Sequence, residues 1–215
     1  MAMFKESARQ LTPPIVWSGF RAIKNSLYRP SPHPDLFDGN GELFITAAEG
    51  ATVYCEYGVG QSTIWIDRYT DAKIFSVDTS SDWIAKVSKS LLRKNHSLLF
   101  VDLGQIGDWG MPIDFSRRKY FHDYVNGPWY NGADADLVLI DGRFRVSCFL
   151  GTLLKGKAGT KIVFDDYTSR PHYHIVEDFV KPVEKSARQA LFIVPEELDR
   201  VSVLDACNQF IMVRE

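Results

Sequence analysis

Long apolar runs are absent from this sequence. None approaches the roughly 18 residues that a membrane-spanning helix needs, and Met1–Gln10 carries three charged residues instead of an apolar signal segment. A cytoplasmic location is therefore the expectation. An excess of charge is absent too, since 25 Lys and Arg stand against 27 Asp and Glu, a net charge of −2. The whole molecule thus gives no argument for nucleic acid as a partner.

Cysteine is equally sparse. Cys55, Cys148 and Cys207 are far apart, each lies in an apolar stretch, and no Cys-x-x-Cys pair occurs. An odd, scattered set of this kind indicates buried free thiols in a reducing compartment rather than a disulfide framework or a cysteine-based metal site.

The composition predicts one domain with a short appendage, since the chain has 215 residues, of which 45% are hydrophobic. Residues 1–41 form the predicted appendage: residues 1–30 carry five basic residues against Glu6 alone, and a Pro- and Gly-rich loop covers 30–41. A basic amphipathic helix is predicted after Pro13 and Pro14. It would pack on the domain or on a second copy of the chain, or it would touch a membrane surface weakly.

Residues 42–215 are predicted to form an α/β domain. Short, continuous apolar runs alternate with helical segments, which is typical of parallel strands buried on both faces and joined by right-handed crossovers. Two further strands close the chain and could pair antiparallel at one edge. The expected fold is a doubly wound, mostly parallel, seven-stranded sheet with helices on both faces. The predicted strands are 52–57, 73–78, 98–102, 136–141, 161–166, 190–194 and 210–213.

Acidic residues mark the carboxyl ends of the five core strands, the edge at which ligands bind in an open parallel sheet. They are Glu56, Asp78, Asp102, Asp141 and the pair Asp165–Asp166. One such Asp often only caps the next helix, but a series of them indicates a site.

A glycine turn follows the first strand. Gly58 and Gly60 allow a tight turn and a close approach of backbone to ligand, while Thr63 stands where a dinucleotide fingerprint has its third glycine. Asp78 follows Gly60 by 18 residues and could accept both hydroxyls of a ribose. The combination indicates a nucleoside cofactor.

These residues resemble the class I S-adenosylmethionine-dependent methyltransferases over about residues 50–215. Glu56-x-Gly58-x-Gly60 is similar to their first motif, Asp78 to the acidic residue that holds the cofactor ribose, and Asp102 to the residue near the adenine. The resemblance implies that S-adenosylmethionine binds to Glu56, Gly58, Gly60, Asp78 and Asp102.

A narrower resemblance concerns magnesium-dependent O-methyltransferases of the catechol and macrocin types. Their metal-binding strand ends are similar to Asp141-Gly142 and Asp165-Asp166 here, which implies a Mg²⁺ site at Asp141, Asp165 and Asp166. Mg²⁺ prefers oxygen ligands and acidifies a bound hydroxyl.

The chain departs from this pattern after Gly142. Macrocin-type enzymes usually carry a His there, whereas Arg143 and Arg145 occupy the stretch in this sequence. These arginines suggest an anionic acceptor, such as a carboxylated or phosphorylated sugar, or they pair with the carboxylates instead. Besides Asp141, the candidate catalytic residues are His172 and His174, as general bases in the loop after the fifth strand.

The sequence therefore predicts an S-adenosylmethionine-dependent O-methyltransferase of a small-molecule or sugar acceptor, with homo-oligomer formation left open. One alternative is a nicotinamide-dependent oxidoreductase, which the missing third glycine disfavours. The other is a methyltransferase-like module that binds without catalysis, because fold does not fix function.

Overall fold

The structure is a computed structural model, and it describes residues 36–215. Seven strands form one sheet at its centre. They are β1 Val53–Tyr57, β2 Lys73–Asp78, β3 His96–Phe100, β4 Leu137–Ile140, β5 Lys161–Phe164, β6 Glu184–Ser186 and β7 Gln189–Ile193. The strand order is β3-β2-β1-β4-β5-β7-β6. Neighbours pair in parallel from β3 to β5, and β7 pairs antiparallel with both β5 and β6.

Helices cover both faces of this sheet. The α-helices are α1 Glu42–Ala48, α2 Gln61–Tyr69, α3 Ser81–Ser88, α4 Phe121–Asn126, α5 Arg145–Lys155 and α6 Arg200–Phe210. The 3₁₀ helices are Leu36–Gly39, Asp108–Gly110, Arg118–Tyr120, Gly127–Trp129 and Pro171–Asp178. No helix among residues 36–215 is both long enough and apolar enough to cross a membrane.

Strand β4 shows why the core strands are apolar throughout. Its side chains alternate between two clusters: Leu137 and Leu139 pack with residues of α1 and α2, while Val138 and Ile140 pack with residues of α4, α5 and α6. All four are fully buried. Strand β4 therefore has no polar position, as the sequence predicts for a strand buried on both faces.

The predicted fold class is confirmed: the sheet has seven strands, is mostly parallel and carries helices on both faces. The single reversed strand is β7, and β6 lies outside it at the edge. Strand order reverses between the neighbours β1 and β4, so the ligand crevice of such a sheet is expected above the carboxyl ends of these two strands.

One prediction at the end of the chain is wrong. Residues 210–213 do not form a strand; helix α6 ends at Phe210, and its buried side chains Val203, Ala206 and Cys207 have helical spacing. The seventh strand is instead β6, Glu184–Ser186, a polar segment of three residues that has no apolar run to reveal it.

The predictions for the basic appendage fall largely outside the described residues. Its amphipathic helix and its membrane-surface contact concern residues before Leu36, which the structure does not describe. In the described part, the first α-helix begins at Glu42.

Candidate functional site

The glycine turn lies at the crevice between β1 and β4. Gly58 has φ +92°, a conformation that favours glycine, and a Cβ there would lie 2.8 Å from the carbonyl oxygen of Asp141. A Cβ at Gly60 would meet no atom within 4 Å. Gly58 therefore lets the turn pack against the end of β4, and Gly60 borders open space that a ligand could fill.

Glu56 is buried beneath this turn. Its carboxylate accepts hydrogen bonds from the hydroxyls of Tyr54 (2.8 Å), Thr63 (2.5 Å), Ser76 (3.0 Å) and Ser62. Burial raises the pKa of Glu56 to about 6, although the four hydroxyls oppose this shift. Both carboxylate oxygens of Glu56 are occupied by residues that shape the turn. We therefore expect Glu56 to position the turn for the cofactor rather than to contact the cofactor itself.

Thr63 closes the turn from the other side. Its hydroxyl accepts a hydrogen bond from the N–H of Gly60 at 2.8 Å while donating to Glu56. The residue that breaks the dinucleotide fingerprint thus holds the turn in place, a role that the glycine spacing alone did not reveal.

Asp78 ties the end of β2 to the same turn. Its Oδ2 accepts a hydrogen bond from the N–H of Val59 at 2.9 Å, and its Oδ1 accepts one from the N–H of Ser80, also at 2.9 Å. Burial raises the pKa of Asp78, and these N–H groups oppose the shift. Each carboxylate oxygen can accept a further hydrogen bond, so Asp78 can still receive ribose hydroxyls.

Asp102 lies beyond the end of β3 at the same edge of the sheet. Its Oδ1 accepts a hydrogen bond from the N–H of Gly104 at 2.9 Å, and Oδ2 pairs with Arg117 at 3.3 Å. Half of its side chain is exposed. Within residues 36–215, no hydrogen bond joins Asp102 to the glycine turn. Its contact with the adenine of a bound cofactor therefore stays a prediction.

A loop crosses the end of β2 beside Asp78. Thr79 donates a hydrogen bond to the carbonyl of Gly110 at 2.7 Å. This close packing requires glycine at position 110, since a Cβ on that residue would lie 2.5 Å from the Thr79 hydroxyl. Trp109 stands at the tip of this loop, is 90% exposed and has φ +57°. An aromatic side chain thus lies in the loop that borders the predicted nucleoside position.

The three carboxylates predicted to bind Mg²⁺ lie together. Asp141 follows β4, Asp165 and Asp166 follow β5, and one oxygen from each falls within 4.8 Å of the others. Their proximity follows from the parallel pairing of β4 with β5, which brings Ile140 beside Phe164.

Three guanidinium groups pair with these carboxylates. Arg145 pairs with Asp141 (3.0 Å) and Asp166 (3.3 Å), and Arg170 pairs with Asp166 (2.8 Å). Arg188 pairs with Asp165 at 2.7 Å and also with Asp166. Arg188 also pairs with Asp38 at 2.6 Å, so three guanidiniums meet the three clustered carboxylates and one exposed carboxylate beside them.

This arrangement disfavours a divalent ion, although the three carboxylates are close enough to share one. A cation would have to displace guanidiniums that already neutralise the carboxylates and hold their oxygens. The metal site at Asp141, Asp165 and Asp166 stays a prediction, and pairing with arginine is the alternative that these contacts favour. The sequence offered Arg143 or Arg145 as the pairing partner; Arg145 is one, while Arg170 and Arg188 were missed.

The geometry also disfavours Arg145 as a substrate-binding residue. Its side chain is 4% exposed, and its Nε and Nη1 donate to the carbonyls of Gly142 (3.0 Å) and Asp165 (2.7 Å). With Nη2 on Asp141, each nitrogen of the guanidinium is engaged, and the residue serves the fold of this edge.

Asp141 keeps one oxygen available. Oδ1 pairs with Arg145, Oδ2 accepts no hydrogen bond from the described residues, and 32% of the side chain is exposed. Burial raises the pKa of Asp141, Arg145 opposes the shift, and the carboxylates of Asp165 and Asp166 add to it. Asp141 therefore combines an accessible oxygen with raised basicity, as a general base requires.

The two candidate histidines lie against other groups. Nε2 of His172 is 3.4 Å from a carboxylate oxygen of Glu215, and Nε2 of His174 is 3.1 Å from the carbonyl of Tyr167. Neither ring forms a hydrogen bond with Asp141 or the glycine turn. This geometry favours Asp141 over either histidine as the base.

Comparison with known proteins gives one informative relative. The chain is similar to a methyltransferase-like protein from Silicibacter pomeroyi, with 28% identity and a TM-score of 0.71 over 80% of this chain and 93% of the other. The fold is methyltransferase-like. No protein-family model matches the chain, and no curated protein does.

Two other methyltransferases give weaker matches. The TDP-rhamnose 3′-O-methyltransferase of calicheamicin biosynthesis has 12% identity and a TM-score of 0.45, over 70% of this chain and 75% of its own. Precorrin-6y C5,15-methyltransferase from Geobacter metallireducens has the same identity and TM-score, over 74% and 89%. Neither informs the chemistry of this methyltransferase-like domain.

Proposed function

We propose that this protein is an S-adenosylmethionine-dependent methyltransferase that acts on an oxygen of a small-molecule acceptor. One observation carries the proposal: the N–H of Val59 donates to Asp78, so the glycine turn of β1 and the acidic end of β2 form one unit beside the open space at Gly60. The methyltransferase-like relative supports it.

The residues at this edge suit the cofactor. Gly60 leaves room for the ligand to approach the backbone closely, and Asp78 retains lone pairs for the two ribose hydroxyls. S-adenosylmethionine, when bound, supplies an electrophilic methyl group. The chain must then align the acceptor oxygen with that group and remove the proton of the acceptor hydroxyl.

Asp141 is the residue proposed to take that proton. It lies at the end of β4, and its carbonyl packs against Gly58 of the turn. Its Oδ2 is free to accept a hydroxyl proton, while Arg145 fixes the orientation of the carboxylate through Oδ1. The proposed step is written without a divalent ion, because the carboxylates that would hold one are paired with arginines.

Transfer of a labelled methyl group from S-adenosylmethionine to a panel of hydroxylated sugars and acids tests the function. We expect Asp141→Asn to lower the turnover rate about 100-fold or more, the usual contribution of a general base, and to leave the affinity for S-adenosylhomocysteine unchanged. Asp71→Asn is the matched control, since Asp71 is fully exposed and precedes the opposite end of β2.

Two results would contradict the proposal in different ways. Saturable cofactor binding without methyl transfer to any acceptor would indicate that the protein is a non-catalytic binding module. Binding of nicotinamide nucleotides in preference to S-adenosylmethionine would indicate an oxidoreductase instead.

A further inference from the structure

Four arginines lie in or against the loops that follow β4 and β5, and they differ in what they contact. Arg145, Arg170 and Arg188 are each paired with at least one of the three clustered carboxylates. Arg143 forms no ion pair within the described residues, and its Nε is buried without a hydrogen-bond partner. Nε of Arg188 also lacks a hydrogen-bond partner, but Arg188 is held by its ion pairs. Among the four arginines, Arg143 is thus the one whose guanidinium forms no ion pair with a described residue.

The backbone around Arg143 places it at the crevice. Asp141 and Gly142, the two preceding residues, pack directly against Gly58, and a Cβ on Gly142 would lie 2.8 Å from the Gly58 nitrogen. The N–H of Arg143 donates to the hydroxyl of the buried Tyr124 at 3.1 Å. Arg143 thus starts from a fixed backbone position beside the glycine turn.

The charges around Arg143 fit a binding role. Its guanidinium is close enough to Asp78 to oppose the rise in the pKa of that carboxyl, and it also interacts with Asp141. Burial and the neighbouring Arg145 lower the pKa of Arg143 itself. A partly buried guanidinium with unpaired donors carries a desolvation cost that an incoming oxyanion would offset.

We propose that Arg143 is the oxyanion-binding residue of this crevice and receives a carboxylate or phosphate group of a ligand. Its planar fork suits bidentate recognition of either group. The inference rests on the proposed function, which supplies two sources of such an oxyanion: the carboxylate of the cofactor's methionyl part and an acidic group of the acceptor.

Calorimetry of Arg143→Met against wild type tests the proposal with three probes. They are S-adenosylhomocysteine, 5′-methylthioadenosine, which lacks the carboxylate, and inorganic phosphate added to protein saturated with S-adenosylhomocysteine. Arg143→Lys keeps the charge without the fork, and Arg68→Met is the control, since Arg68 is exposed at the far end of α2. Thermal unfolding verifies that each variant folds.

Either of two results supports the proposal. If the oxyanion belongs to the cofactor, Arg143→Met weakens S-adenosylhomocysteine about 10- to 100-fold, the range for a hydrogen bond to a charged group, and leaves 5′-methylthioadenosine unchanged. If it belongs to the acceptor, S-adenosylhomocysteine binds equally well but phosphate binding is lost. In both cases Arg143→Lys should fall between wild type and Arg143→Met.

Binding of all three probes that is the same in Arg143→Met and wild type would overturn the inference. Failure of the wild type to bind S-adenosylhomocysteine is a separate result, because it contradicts the proposed cofactor. Phosphate titrated into the unliganded protein would still test Arg143 in that case.

Discussion

Arg145 lies with its Nη2 3.0 Å from Oδ1 of Asp141, four residues earlier in the chain. The pair spans the left-handed residue Phe144, with φ +55°, at the start of α5. It gives the carboxylate a fixed orientation and leaves Oδ2 open. The same guanidinium reaches Asp166, so one side chain joins the ends of β4 and β5.

Removal of the Arg145 guanidinium should destabilise the fold strongly. Arg145→Met would leave Asp141 and Asp166 without one of their cations, and breaking a buried ion pair typically costs about 3–5 kcal/mol. Urea unfolding monitored by circular dichroism measures the loss. Arg68→Met, at an exposed site, should change the free energy of unfolding by no more than about 0.5 kcal/mol. Equal effects of the two substitutions would show that the buried pair is unimportant.

Metal removal should have no effect on this protein. The arginines neutralise the three clustered carboxylates, so EDTA is expected to leave both cofactor binding and methyl transfer unchanged. Electron paramagnetic resonance of Mn²⁺ titrated into the wild type should show no saturable site. Activity that disappears with EDTA and returns with Mg²⁺ would contradict this account of the cluster.

Glu56 should make stability fall as pH rises from about 4.5 to above 6. Its pKa is about 6 in the folded protein against an ordinary value of 4.5, so the folded state binds the proton more tightly. The stabilisation is complete below the unfolded pKa and is lost as pH rises through the folded one, a change of about 2 kcal/mol. Glu56→Gln should remove this contribution, which unfolding curves at pH 4 and 7 compare. An identical pH dependence in both proteins would rule it out.

The two glycines of the turn should respond differently to alanine. Gly58→Ala places a Cβ 2.8 Å from the Asp141 carbonyl oxygen at φ +92°, so we expect a loss of stability of about 1–3 kcal/mol. Gly60→Ala meets nothing within 4 Å, so the protein should keep its melting temperature while S-adenosylhomocysteine binds more weakly. Unchanged affinity in Gly60→Ala would mean that the ligand does not approach this residue.

Much of the fold could be predicted from local sequence. The apolar runs of β1, β2, β4 and β5 and the glycine turn predict their own structure, because strands buried on both faces are mostly apolar. The buried polar exceptions, Glu56 and Ser76, hydrogen-bond to each other. Helix α6 was missed because only three of its eleven residues are buried, so its apolar pattern is weak. Strand β6 is polar and lies at the edge of the sheet.

The sequence predicted which carboxylates lie at the site but not which arginines pair with them. Strand ends bring Asp141 and Asp165 together by topology, which a sequence reveals. Arg188 lies in the turn between β6 and β7, and its contact with Asp165 depends on the unforeseen β6–β7 pairing. The sequence offered pairing with the carboxylates as an option for both Arg143 and Arg145. Only the structure shows that Arg145 forms the pair with Asp141 and that Arg143 forms none with a described residue.

The most direct test of the central claim is calorimetric titration of S-adenosylhomocysteine into wild type, Asp78→Ala and Asp71→Ala. Asp78 joins the glycine turn to the end of β2, whereas Asp71 lies just before the other end of that strand. Loss of the ribose partner should weaken binding by about 1–3 kcal/mol in Asp78→Ala, with Asp71→Ala equal to wild type. Equal affinity in all three proteins, or no binding to the wild type, would contradict the assignment.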